Sequence, residues 1–198
     1  MEPFIININP IFQPLAHPTP FRYLYLPMNS SRAYHEDPID ALATPWGESA
    51  EAVIRASGAG TLALLGELFS APRRLAAADS HTLLHGILKN GAGEAVDEVL
   101  CAVFREGRGY TGEESAEIYA HGSLPGIELI LGLLRKAGFR DARPGEFTER
   151  AFLNGRMDLT QAEAVAEIVS AKSRAAHTMA LHRLGGGIKA RINAAKEE

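Results

Sequence analysis

Apolar and polar positions fall into distinct rhythms from residue 37 onward. IDALAT (39–44) reads as a strand, with the turn PWG after it. EAVIRASG (51–58) reads as a second strand ending in a glycine. GTLALLGELFSA (60–71) changes to helical spacing, and Pro72 is expected to close that helix. HTLLHGILKN (81–90) and VDEVLCAVF (96–104) read as two strands joined by the loop around Gly91 and Gly93. SAEIYAH (115–121) alternates cleanly: Glu117, Tyr119 and His121 share one face, while Ala116, Ile118 and Ala120 share the other. LPGIELILGLLRKAG (124–138) has a proline near its start, a basic last turn and a terminal glycine, which together predict a helix. FRDAR (139–143) reads as a short strand stopped by Pro144. The sum is an α+β fold, a mixed sheet with packed helices, and no internal repeat is present.

Beyond Pro144 the rhythm is helical. Glu146 to Leu153 spans two turns, ended by Asn154 and Gly155, a pair suited to a left-handed stop. Asp158 and Gln161 have the spacing of a capping box. Residues 159–184 predict one long, alanine-rich C-terminal helix with an apolar stripe of Leu159, Ala162, Val165, Ala166 and Val169. Arg156 then lies on a tight bend beside the unpaired N–H groups of that helix, a favourable place for an anionic or carbonyl-bearing group. The alternative is a solvated arginine paired with Asp158, worth little.

Composition narrows the class. The chain has 198 residues, is 46% hydrophobic and carries a formal net charge of -4. A core is within reach, and a general basic surface for nucleic acid is not indicated. Cys101 is the only cysteine, so no intrachain disulfide or cysteine-rich metal site forms, a reducing intracellular setting fits, and Cys101 itself reads as a core residue. No apolar run has the length of a membrane span. Prolines 3, 10, 14, 18, 20 and 27 mark residues 1–36 as a Pro-rich extension, expected to be a disordered or loosely attached arm, with Met28 as a second candidate start. A strand or arm that docks on a neighbour is the alternative. The seven histidines suggest no metal site: His177 and His182 are five apart, and His81 and His85 fall on a predicted strand.

PGEFTERAFLNGRMDLTQAEAVAEIV (144–169) closely resembles the signature of the MnmE (TrmE) family of tRNA modification GTPases. DPIDALATPWGESAEAVIRASG and YTGEESAEIYAHGS look like that family's amino-terminal strand–turn–strand and its central strand with a glycine turn. The resemblance implies an amino-terminal domain that binds 5-formyltetrahydrofolate and makes a homodimer, with a fold similar to the folate-binding part of aminomethyltransferases. It divides the chain into residues 37–157, the folate-binding dimerisation domain, and 158–198, the truncated start of a helical domain. It further implies a cytoplasmic setting, an FAD-dependent MnmG-like partner, and tRNA wobble uridine as the site modified by the complex. GTP, Mg and K belong to a GTPase domain, and no G-x-x-x-x-G-K-[ST] phosphate loop occurs in this sequence. The chain is therefore expected to be non-catalytic alone, whether an excised domain, a truncated product or half of a split gene.

Three folate contacts carry over by the same resemblance. Arg55 matches the arginine of VIRASG, Glu117 the glutamate of SAEIYAHG, and Arg156 the basic residue of the N-G-[KR] turn. A carboxylate can accept two pterin donors at once, and the two arginines can donate to the formyl oxygen and the glutamate tail. Without a ligand, Glu117 reads as half of a surface pair with an arginine, and Arg55 as a sheet-edge charge. Departures from the family pattern are Arg156 for lysine, Ser123 for the second glycine of H-G-G, Trp46 for a proline, Glu51 for an apolar residue and the run Gly185 to Gly187. Two other functions fit the same residues: a folate-dependent one-carbon transferase, or a dimerisation module with a decayed folate site.

Overall fold

A computed structural model describes residues 37–186, so the expectations for residues 1–36 and for 187–198 lie outside the described residues. Residues 37–142 form one compact unit and residues 143–186 another.

The first unit contains β1 (Ile39–Leu42), β2 (Ser49–Ser57), α1 (Thr61–Leu68), α2 (Pro72–Ala77), β3 (Thr82–Lys89), β4 (Ala95–Phe104), β5 (Ser115–Gly122), α3 (Leu124–Ala137) and β6 (Arg140–Asp141). The strands form one sheet in the order β3-β4-β5-β2-β1-β6. All pairings are antiparallel except that of β1 with β6. The expected mixed sheet with packed helices is therefore present.

Alternation decides which face is covered. Ala52, Ile54 and Ala56 of β2 are buried, as are Ala116, Ile118 and Ala120 of β5. Register places Ile54 opposite Ile118, and Ile118 opposite Cys101. These residues share a core with Leu62 and Leu65 of α1 and Ile127, Ile130 and Leu134 of α3. Cys101 is a core residue, as expected. Burial pushes its thiol up to about 12, which keeps it protonated and unreactive.

The turn from β2 into α1 is built from backbone that only glycine tolerates. Gly58 has φ 127, and a Cβ there would lie 2.8 Å from the Pro38 Cα. The loop before β5 ties this turn down. The Gly58 N–H donates to the Glu114 carbonyl at 3.0 Å, and the Leu62 N–H donates to Glu114 Oε1 at 2.9 Å. Glu114 thus satisfies a donor in the first turn of α1, a helix with no side-chain cap of its own.

Pro72 does more than end α1. α1 stops at Leu68, and Pro72 occupies the first turn of α2, a helix the sequence reading did not separate. Proline lacks an N–H and suits that position.

The second unit contains α4 (Glu146–Leu153), α5 (Leu159–Ser170) and α6 (Arg174–Leu184). α4 has the bounds expected, and Gly155 adopts φ 69 as the left-handed stop. Glu146 and Arg150, one turn apart and both buried, form an ion pair at 3.1 Å. The Arg143 backbone N–H donates to the other Glu146 oxygen at 2.8 Å. The capping box forms as predicted: the Gln161 N–H donates to Asp158 Oδ1 at 3.0 Å, and the Gln161 side chain accepts from the Asp158 N–H at 2.9 Å.

The single long helix over 159–184 is not present. Ala171 is extended (φ -61, ψ 120), and Ser173 caps a new helix by accepting from the Ala176 N–H at 3.2 Å. α6 returns along α5, where Gln161 Nε2 donates to the Leu184 carbonyl at 2.8 Å and Arg183 pairs with Glu167 at 2.5 Å. Folding back buries Ala164 and Ala180, which a lone helix would leave exposed. The predicted stripe shifts accordingly: Ala164 is the buried residue of α5, and Val169 is 64% exposed. α6 ends at the first glycine of its run, Gly185.

Candidate functional site

Two of the three residues singled out by sequence meet on the sheet. β2 and β5 are antiparallel with Arg55 directly opposite Glu117. Their row continues to Ala41 on β1 and Ala102 on β4, small residues that leave room around the pair. Period-two alternation places this row on the face opposite the buried Ala56 and Ile118. Arg55 Nε donates to Glu117 Oε1 at 2.9 Å, and Arg55 Nη2 lies 2.8 Å from the same oxygen. The two side chains are 32% and 21% exposed, so the pair is within reach of a ligand.

Two tyrosines complete the cluster. Tyr119 follows Glu117 by two residues on the same face, and its hydroxyl donates to Glu117 Oε2 at 3.0 Å. That hydrogen bond, with burial and the Glu117 charge behind it, raises the Tyr119 pKa above the usual phenol value. The Tyr110 ring lies 5.5 Å from the Arg55 guanidinium carbon, within cation–π range. Tyr110 sits in the loop before β5, which is anchored where Ser57 Oγ meets Thr111 Oγ1 at 2.7 Å and Glu113 Oε2 at 2.8 Å. Alternation in SAEIYAH already put Tyr119 beside Glu117. Nothing in local spacing announced Tyr110, which reaches Arg55 only through the long-range anchoring of its loop.

Arg156 belongs to the second compact unit, exposed on the bend between α4 and α5. Its backbone N–H donates to the Ala151 carbonyl at 2.8 Å, closing the end of α4. Asp158, two residues on, uses Oδ1 to accept from Thr160 Oγ1 at 2.7 Å as well as from the Gln161 N–H.

Other polar features near β5 serve structure. His121 Nδ1 lies 2.6 Å from Asp97 Oδ1, and the His121 N–H donates to Asp97 Oδ2 at 2.9 Å. The bond to Asp97 raises the His121 pKa. Ser123, which stands where the family pattern has a glycine, has an ordinary φ of -89 and caps α3 by accepting from the Gly126 N–H at 3.2 Å. A groove of about 430 Å³ runs between α3 and the β3–β4 turn, lined by Leu129, Leu133 and Val96 among others, and holds none of the sequence-indicated residues. Among the described residues, no group of three or more His, Cys, Asp or Glu is placed to hold a metal ion. Among them too, no helix is long and apolar enough to cross a membrane.

The arrangement offers a fixed carboxylate, a fixed guanidinium and two aromatic rings on one half-exposed surface. Such a set can hydrogen-bond through the charged groups and pack through the rings.

Comparison with known proteins agrees with the motifs. Residues 38–156 match the family model described as GTP-binding protein TrmE N-terminus. The chain is 45% identical over 164 residues to the tRNA modification GTPase MnmE of Borrelia recurrentis, covering 82% of this chain and 35% of that protein. It is 44% identical over 167 residues to the protein of the same name from Carboxydothermus hydrogenoformans, covering 82% and 36%. The Aquifex aeolicus relative is 43% identical over 161 residues, covering 81% and 35%. The chain thus spans about a third of the length of these relatives.

Proposed function

The chain belongs to the family of the TrmE N-terminus, and from that premise we propose that it is a folate-binding, dimerising module that holds 5-formyltetrahydrofolate on the Arg55–Glu117 face. The observation that carries this reading is the Arg55–Glu117 ion pair, flanked by Tyr110 and Tyr119 on a half-exposed sheet surface. Glu117 offers acceptors to the amino and N–H donors of a pterin. Arg55 offers a charged donor to a carbonyl or carboxylate of the ligand. Arg156 is proposed, on the family match alone, as a cationic donor to folate. The fit is chemical: pterin donors meet a carboxylate, and anionic or carbonyl groups meet guanidinium groups.

In the longer relatives this module accompanies the tRNA modification GTPase activity that their names state. We place the present chain in the same work: wobble-uridine modification of tRNA in the cytoplasm, together with an MnmG-like FAD-dependent partner. GTP, Mg and K act in a part to which none of these residues corresponds.

Isothermal titration calorimetry with 5-formyltetrahydrofolate tests the site. The wild type is expected to bind, and Glu117→Ala to bind about tenfold to a hundredfold more weakly, the value of roughly 1.5–3 kcal/mol for a hydrogen bond to a charged group. Arg156→Ala is expected to cost less if its head meets only the hydrated glutamate tail, because exposed ion pairs contribute about 0–1 kcal/mol. A wild type that binds no folate, or a Glu117→Ala variant of undiminished affinity, removes this reading of the site.

A further inference from the structure

We infer that Tyr119 is a positioning residue of this site: its hydroxyl holds Glu117 Oε2 and so decides which part of the carboxylate meets the ligand. The inference rests on the folate reading and adds to it a residue that acts only through Glu117.

The hydrogen-bond inventory carries it. An ionised carboxylate has about four acceptor positions, two on each oxygen. Oε1 accepts from Arg55 Nε at 2.9 Å and has Arg55 Nη2 in ion-pair contact at 2.8 Å, which crowds its second position. Oε2 takes the Tyr119 hydroxyl at 3.0 Å. Among the described residues, the acceptor position left for a ligand is the second one on Oε2. A carboxylate held at one oxygen still pivots, because the terminal torsion of glutamate is broad. The Tyr119 hydroxyl holds the second oxygen and stops that pivot.

The strand supplies the reach, since residues two apart on β5 point to the same side. Arg55 is restrained too, in its plane by Glu117 and from its face by the Tyr110 ring. The ligand class that suits the remaining position is a planar ring carrying an N–H or amino donor at its edge. A ligand that needs both oxygens must displace either one Arg55 contact or the Tyr119 hydroxyl. The phenol is the weaker of the two holds, because it is a neutral donor making one bond while Arg55 brings a full positive charge to the carboxylate.

A double-mutant cycle on the full chain tests this, using calorimetry with 5-formyltetrahydrofolate on the wild type, Tyr119→Phe, Glu117→Gln and the pair. Tyr119→Phe is expected to weaken binding about threefold to tenfold. In the Glu117→Gln background the same change is expected to add nothing, because its effect passes through the carboxylate. A second readout follows tyrosinate absorbance against pH: Tyr119 is expected to titrate above the ordinary phenol value, and Glu117→Gln to bring it down. If the wild type binds no folate, the folate reading fails and this inference with it. If the wild type binds and Tyr119→Phe binds as well, only the inference fails. Equal losses in both backgrounds would show a merely structural tyrosine, and an absorbance titration unmoved by Glu117→Gln would rule out the hydrogen bond itself.

Discussion

Asp40 places a carboxylate on the covered face of β1, in register with the buried Ala56, and is 1% exposed. Among the described residues neither of its oxygens accepts a hydrogen bond. Asp141 stands opposite on the parallel strand β6, and Arg135 from the last turn of α3 binds Asp141 at 2.9 Å. Burial first, then the Asp141 charge, pushes the Asp40 carboxyl up to about 7, with Arg135 opposing. The ordinary value is 3.8, so the folded chain holds this proton where the unfolded chain has lost it. Stability from this group is present below about pH 4 and falls as pH rises toward 7. Urea unfolding across that window is expected to show a loss of a few kcal/mol in the wild type that Asp40→Asn lacks. Parallel pH profiles for the two proteins would sink the assignment. Glu117 belongs to the same scale but has the opposite circumstances: its charge has donors on both oxygens, and a ligand can reach it.

At the scale of elements, helix ends are where single side chains decide most. The capping box satisfies orphan donors at the start of α5 through Asp158 and Gln161, and Thr160 adds a third partner to the same carboxylate. Asp158→Ala is expected to lower stability by about 1 kcal/mol. The readout is the midpoint of chemical denaturation, and an unchanged midpoint would mean that the hairpin of α5 and α6 contributes nothing to the measured transition. The hairpin also explains a polar bridge that a straight helix could not make. Gln161 uses its oxygen on the Asp158 N–H and its amide nitrogen on the Leu184 carbonyl, so one side chain joins the start of α5 to the end of α6.

At the scale of the whole molecule, the described surface leaves several large apolar side chains exposed. Leu83 and Leu100 stand on β3 and β4, with Val169 on α5 and Met179 and Leu181 on α6. Single exposed apolar residues are ordinary, and an apolar face on either unit gains from being covered. The proposed dimer gives the sheet face and the alanine-rich helices a second copy to bury against. Light scattering at micromolar concentration is expected to return twice the chain mass of 21.3 kDa. A monomer at every concentration would count against the dimer and leave the folate test standing independently.

Much of the local structure was legible because its causes lie within a few residues. Alternation in SAEIYAH set the two faces of β5, Gly138 in the left-handed region closed α3 as its basic last turn and glycine predicted, and Asp158 with Gln161 announced their own cap. The motifs also identified the family, since they are runs of adjacent residues. What sequence left open depends on distance along the chain. It named Arg55 and Glu117 separately, yet they are 62 positions apart, and only the pairing of β2 with β5 makes them one ion pair. Tyr110 reaches Arg55 because Ser57 and Glu114 fasten its loop to the β2–α1 turn. Asp40 reads locally as one polar residue in an apolar strand. Its desolvation follows from the side of β1 that faces the packed helices. The break before α6 was hidden for the same reason: helix propensity favours continuing through Ala171, and the tertiary packing that buries Ala164 and Ala180 outweighs it. Local spacing determined where elements begin, end and turn their faces. Burial and strand pairing, which act between residues remote in sequence, decided which of those faces was covered and brought Arg55 and Glu117 together.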